Sequence, residues 1–455
     1  MQSEVTASGR LANWALGLES GDVPTGVRRA ARRHVLDALG CALAARRMGE
    51  AEPALAVASG LGGPCEATII GGQRTGVPSA ALANGSLIHA LDFDDTHADS
   101  LVHATVAVLP AALAAAEERE VSGQQFLIAV IAGIEAVTRL GAAVPHGFHT
   151  RGFQATSVCG TFASALAASR LYGLNERAAV SALGIAGSFA AGSLEFLADG
   201  SSTKQLHPGW SAHSGLIASR LAAAGATGPE TIFEGESGLY RAYLGRPVDA
   251  AQLVAGLGQR WETERLTIKP YPACQLSHAS LDALREAGVR AADVVSIHFR
   301  LPDDAAAIVC SPESAKLHPR TPYEAKFSLQ WCAAALLRDG TLGVESFAPS
   351  RIQEQAILEL AARVTFETYD PGVPAAGAGG RVDVNLRDGT TRTGEVSSSR
   401  GGPDHPLSDE QVLEKFRLNA GSGHERLAET VLAVESLDSV TELTAQLGQP
   451  VGSRR

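Results

Sequence analysis

The sequence predicts a large, mainly α-helical domain with a smaller α+β domain inserted into it. Three observations carry this prediction. The chain has 455 residues, beyond the size at which one hydrophobic core keeps growing, so two domains are expected. Alanine-rich tracts such as Ala111 to Ala116 and Ala222 to Ala224 favour close-packed helices, because alanine forms helix readily and lets neighbouring backbones approach. After about residue 265 the apolar pattern changes from helical spacing to alternation.

Taken in order, Gly26 to Ala44, Gly123 to Leu140 and Thr161 to Leu171 read as helices separated by Gly, Pro and Asn. Val294 to Leu301 and Arg363 to Tyr369 are rich in β-branched and aromatic residues and read as strands. Arg381 to Leu386 alternates strictly and runs into Arg387-Asp388-Gly389, where the Asp-Gly pair is expected to supply the positive φ angles of a tight hairpin turn. Ser277 to Ala287 and Pro322 to Leu337 are helical, Pro371 to Gly380 is a loop, and Ser408 and Gln411 stand at capping-box spacing at the start of a further helix. The expected organisation is a helical domain from residues 1 to about 265 plus about 405 to 455, with an α+β domain over 266 to 404. The tail Gly452 to Arg455 is expected to be disordered.

Composition limits function. A formal net charge of −11 argues against a nucleic-acid partner, whose recognition draws on clustered Lys and Arg. The six cysteines contain no CxxC pair and are expected to be reduced thiols of a soluble, cytoplasmic protein. No basic stretch followed by an apolar run opens the chain, and no apolar segment of membrane-spanning length is expected, so no membrane partner is.

Three polar clusters interrupt the apolar sequence. The first is His89-Ala-Leu-Asp-Phe-Asp-Asp-Thr-His97 with His103 downstream. Its carboxylates and imidazoles suit a divalent ion, but its spacing matches no HExxH or EF-hand pattern; the other reading is that Asp92, Asp94 and Asp95 cap helices and pair with basic groups. The second, Ser201-Ser-Thr-Lys204-Gln-Leu-His-Pro-Gly-Trp210, sets Lys204 where a helix N-terminus attracts anions, against the commoner fate of a solvated surface lysine. The third, Lys269-Pro-Tyr-Pro-Ala-Cys274-Gln-Leu-Ser-His278, is stiffened by two prolines before a helix. Cys274 paired with His278 is a weak nucleophile candidate, since no family signature flanks it.

At these clusters the chain resembles the MmgE/PrpD family, which includes 2-methylcitrate dehydratase, cis-aconitate decarboxylase and iminodisuccinate epimerase. The resemblance rests on His89 to Thr96 with His103, on Lys204-Gln-Leu-His-Pro-Gly-Trp-Ser-Ala-His213, and on Lys269-Pro-Tyr-Pro-Ala-Cys274, followed in order by Glu324-Ala-Lys-Phe-Ser-Leu329 and Pro406-Leu-Ser-Asp-Glu410. It implies the family's helical domain with an inserted lid domain, an active site in the cleft between them, a homodimer, and neither cofactor nor metal. It marks Asp92, His103, Lys204 and Lys269 as catalytic and Thr96 as substrate-binding; His97, Gln154 and Cys274 join Thr96 as substrate-binding candidates.

The chemistry so implied is proton abstraction beside a carboxylate of a di- or tricarboxylate. Dehydration is the leading expectation, with epimerisation of an iminodisuccinate-like substrate or cis-aconitate-type decarboxylation as alternatives and a non-catalytic binding homologue as the remaining one. His103 would shuttle the proton with Asp92 fixing its orientation, and the lysines would stabilise enolate charge or move protons. Two positions depart from the family pattern, each by losing a histidine: Gln154, and Cys274 where decarboxylase-like members carry histidine. His146, His149 and His278 are the histidines near enough in sequence to compensate.

Overall fold

The computed structural model describes residues 6–373 and 375–449; the tail from Gly452 onward lies outside them. The chain divides into two compact units. One comprises the chain up to Ala90, Asp94–Leu266 and the chain from Asp409 on; the other comprises Leu91–Phe93 and Thr267–Ser408. Three residues in the middle of the first polar cluster thus belong with the second unit, which no periodicity in the sequence announces.

The first unit is helical, with one short ladder between β1 (Ala67–Thr68) and β2 (Arg74–Thr75). Its centre is the Thr203–Ala223 helix, packed against Val77–His89 and Ala155–Leu171. Small residues make this approach possible. A Cβ added to Gly85 would lie 2.6 Å from the Cα of Gly209, and one added to Gly215 would lie 2.5 Å from the Cβ of Ser164, both too close for any side chain. Within the same helix Pro208 lacks the N–H that would bond the Lys204 carbonyl.

The Gly123–Ala142 helix corrects one expectation: by length and composition it is apolar enough to cross a membrane. In the fold it is a core helix, with 89% of its apolar window buried. Its two charges are satisfied internally. Glu135 accepts from Thr263 N–H (2.9 Å) and Oγ1 (2.8 Å), and Arg139 lies 3.3 Å from Glu135 and donates to the carbonyls of Ala255 and Arg260.

The second unit is built on a four-stranded mixed sheet of β3 (Val294–Pro302), β4 (Val364–Tyr369), β5 (Gly380–Leu386) and β6 (Thr391–Val396) in the order β4-β3-β5-β6. The β3/β4 pair is parallel and the other two are antiparallel. Ile297, Phe299 and Leu301 of β3 and Val382 and Val384 of β5 point to the core, the alternation expected of a sheet with one covered face. The His278–Glu286 helix covers β5 and β6.

Two local details differ from the sequence reading. The Pro322 to Leu337 helix is broken into Pro322–Lys326 and Leu329–Asp339, because Ser328 leaves the helix to cap the second piece, its Oγ accepting from Trp331 N–H at 3.0 Å. In the β5–β6 hairpin only Gly389 takes positive φ, at 83°; Asp388 instead accepts from Thr390 N–H and Oγ1 at 2.9 and 2.7 Å, and the turn closes through Gly389 N–H to Leu386 O at 3.0 Å.

Candidate functional site

In the first unit the polar cluster folds around Asp94. The Val77–His89 helix ends on His89, whose Nδ1 lies 2.9 Å from Asp94 Oδ2, while His103 Nδ1 lies 3.2 Å from the same oxygen. The two imidazoles meet edge to face, centroids 4.5 Å apart at 80°, and all three side chains are buried. Burial alone would raise the Asp94 carboxyl, but His89 and His103 outweigh it and hold Asp94 well below the usual carboxylate range. Burial pushes His89 down to about 4, against the pull of Asp94, so His89 is neutral at pH 7 and Asp94 ionised. The backbone N–H of His103 donates to Thr156 Oγ1 at 3.0 Å, which ties its loop to the first turn of the Ala155–Leu171 helix.

Asp92 belongs to the second unit. There Lys269 Nζ donates to the Asp92 carbonyl at 2.8 Å and lies 3.3 Å from its Oδ2. Asp92 adopts φ 53°, a left-handed conformation that costs a non-glycine residue energy and persists only where neighbours impose it. Lys269, 1% exposed, is one such neighbour and Lys326 is another. Lys326, likewise buried, donates to Leu91 O at 2.9 Å and Pro272 O at 3.1 Å over the Phe347 ring.

The other residues divide in the same way. Asp95 accepts from Thr105 N–H at 3.1 Å and lies 2.9 Å from His34 Nδ1, a structural role. His97 is corrected to a structural role as well. It is buried, with Nδ1 2.8 Å from Ser100 Oγ and Nε2 3.3 Å from Glu262, and its bond pushes Glu262 down to about 2; no ring nitrogen remains for a substrate. Thr96 is half-buried, and its hydroxyl makes no hydrogen bond among the described residues.

Lys204 is not a solvated surface lysine. It is buried at the second position of the Thr203–Ala223 helix, and its charge adds to burial in lowering His89, His149 and His207, each to about 4. Gln154 begins the Ala155–Leu171 helix, and its Oε1 lies 2.6 Å from His207 Nδ1.

In the second unit Cys274 is buried and its N–H donates to Lys326 O at 2.9 Å. The Cys274–His278 nucleophile pair is absent, because His278 Nε2 lies 3.1 Å from Ala273 O and its buried Nδ1 makes no hydrogen bond. All six cysteines are free thiols.

Asp94, His149, His207 and Lys326 carry weight that the sequence reading did not assign. The signal was present for three of them, which lie inside quoted motifs; His149 showed none beyond its neighbourhood. Among the described residues His89, Asp94 and His103 also form the one group whose ligand atoms fall within 4.8 Å of one another. Both imidazole Nδ1 atoms stand within 3.2 Å of Asp94 Oδ2, and Asp94 would have to release them for a cation to enter.

The helical unit thus carries a buried His–Asp–His group and a buried lysine, and the α+β unit a buried lysine–aspartate pair. Residues 9–251 match the MmgE/PrpD N-terminal domain and residues 271–438 the MmgE/PrpD C-terminal domain, and the chain belongs to the MmgE/PrpD family. It is 29% identical over 474 residues to a cis-aconitate decarboxylase of Aspergillus terreus, covering 98% of this chain and 96% of the relative. It is 30% identical over 461 residues to the human cis-aconitate decarboxylase, covering 95% and 93%. A cis-aconitate decarboxylase-like protein of Aspergillus oryzae is 28% identical over 474 residues, covering 98% and 97%.

Proposed function

We propose that the protein is a lyase acting on a di- or tricarboxylate by moving a proton at the carbon next to a carboxylate, with no cofactor taking part. The observation that carries this reading is the buried His89–Asp94–His103 group. A histidine whose Nδ1 is turned on an ionised carboxylate keeps one ring orientation and exchanges its proton through Nε2. Lys204 supplies positive charge for substrate carboxylates and for the enolate-like state. Lys269 acts through its charge and by holding Asp92 in its left-handed conformation.

Within this class we put decarboxylation of an unsaturated tricarboxylate first. The relatives are named for it, and it asks for one proton. The electron pair of the breaking C–C bond passes into the enolate-like system as CO2 leaves, and His103 returns a proton to carbon. Dehydration, put first on sequence grounds, becomes the second reading. Against decarboxylation stand Gln154, where many members of the family carry histidine, and Cys274, where decarboxylase-like members do; the loss of a histidine fits an epimerase somewhat better.

The test is proton NMR in deuterium oxide with cis-aconitate, citrate, 2-methylcitrate and iminodisuccinate, with Lys204→Ala as control. Loss of CO2 with deuterium on the former α-carbon supports the first reading. An alkene formed from a hydroxy acid supports the second, and exchange with inversion alone would transfer the assignment to an epimerase. No exchange, alkene or CO2 from any of the four would sink the proton-transfer reading.

A further inference from the structure

Gln154 makes two commitments inside the first unit. Its backbone N–H donates to Gly192 O at 3.0 Å, and its Oε1 lies 2.6 Å from His207 Nδ1. Both side chains are enclosed, at 3% and 6% exposure. His207 stands one helical turn after Lys204, with its ring edge against Phe196 at 5.9 Å. Burial first, and Lys204 second, push it down to about 4, so the ring is neutral at pH 7 and carries one N–H. An amide oxygen can only accept, so that proton sits on Nδ1. The amide nitrogen of Gln154 has no partner among the described residues, yet it is not one of the unpartnered atoms sealed from solvent. Two residues further on, Thr156 holds the backbone of His103.

We propose that His207 is a positioning residue that claims the oxygen of Gln154 and leaves its NH2 as a fixed donor, selecting a substrate carboxylate oxygen beside His103. The inference rests on the carboxylate reading above and deepens it. An amide whose acceptor is occupied can only donate, so position 154 offers an anion a hydrogen bond and repels none of its charge. A histidine there would titrate and carry protons; the Gln154–His207 pair supplies recognition without proton transfer.

The test is calorimetric titration of the full-length protein with tricarballylate, a saturated tricarboxylate, and with citrate. Gln154→Glu keeps an oxygen for His207 but offers the ligand a charge instead of a donor, and His207→Phe removes the clamp. Each is expected to weaken binding by about tenfold or more, while His207→Asn, with an amide N–H near the Nδ1 position, returns to within about threefold. Circular dichroism establishes that each variant is folded. In parallel, 15N NMR of the imidazoles, with His207 identified by its loss in His207→Asn, is expected to show a neutral Nδ1–H ring from pH 5 to 8. Wild-type binding left unchanged in Gln154→Glu and His207→Phe, or an Nε2–H ring, overturns this inference and leaves the carboxylate reading standing. A wild-type protein that binds neither ligand overturns both.

Discussion

Replacing Asp94 with asparagine separates a proton relay from a packing role. Asparagine has nearly the same shape, but it puts one neutral acceptor and one NH2 in place of the carboxylate whose Oδ2 lies 2.9 Å from His89 Nδ1 and 3.2 Å from His103 Nδ1. The charge that both imidazoles face is removed, a loss of about one charge-assisted hydrogen bond, roughly 1.5–3 kcal/mol. If His103 is the acid–base group, its worth is about 10²–10⁴-fold; with the ring retained but misoriented, kcat is expected to fall by about 10²–10³ with KM nearly unchanged. The assay is the deuterium-incorporation rate on whichever substrate turns over, measured from pH 5 to 9.

The same change carries a stability signature. Asp94 is held below its unfolded value, so its contribution is present above about pH 4 and is lost as pH falls through its depressed folded value. The melting-temperature gap between wild type and Asp94→Asn should therefore hold from pH 8 to about 4 and close below. An Asp94→Asn enzyme within a few-fold of wild type refutes the relay.

Other expectations follow from single contacts. His97→Phe should leave kcat within about threefold, since a structural histidine touches no substrate, but lower the melting temperature at neutral pH; because Glu262 is depressed to about 2 by His97, that gap should shrink as pH falls from about 4 towards 2, and a hundredfold loss of activity would return His97 to the pocket. Lys326→Met strands the carbonyls of Leu91 and Pro272, so a drop of several degrees in melting temperature is expected for about 2–4 kcal/mol lost; an unchanged melting curve contradicts the assigned role. Gly85→Ala, with its Cβ 2.6 Å from Gly209, should cost about 1–3 kcal/mol or prevent folding, whereas Gly17→Ala, with nothing within 4 Å, should be neutral or slightly stabilising; equal effects would mean the helices are not in close contact.

The fold class was legible because periodicity and alanine content act locally. The helices after Gly26 and Gly123 and the alternation at Arg381 to Leu386 each declare themselves within about ten residues. The break at Ser328 and the single positive φ at Gly389 were not legible, since they turn on which side chain captures a backbone N–H. The site was legible as a set of motifs but not as a set of pairs. Sequence nearness gave no sign that Asp94 stands against both His89 and His103, or that Asp92 meets Lys269, a partner 177 positions away. Burial was equally hidden: nothing local to Lys204 says that it is enclosed, or that His207 is kept neutral beside it.

The three residues Leu91–Phe93 set a limit on how this protein can be taken apart. Cutting at Leu266 and Asp409 would give two fragments that look complete on a domain diagram, yet the helical fragment would carry the Leu91 and Asp92 carbonyls without the ammonium groups that cap them, and the other would keep Lys269 and Lys326 without those two carbonyls. Recombining halves from different relatives meets the same obstacle, because the tripeptide travels with one parent and its clamps with the other. For these genes a crossover at a domain border still divides a working contact.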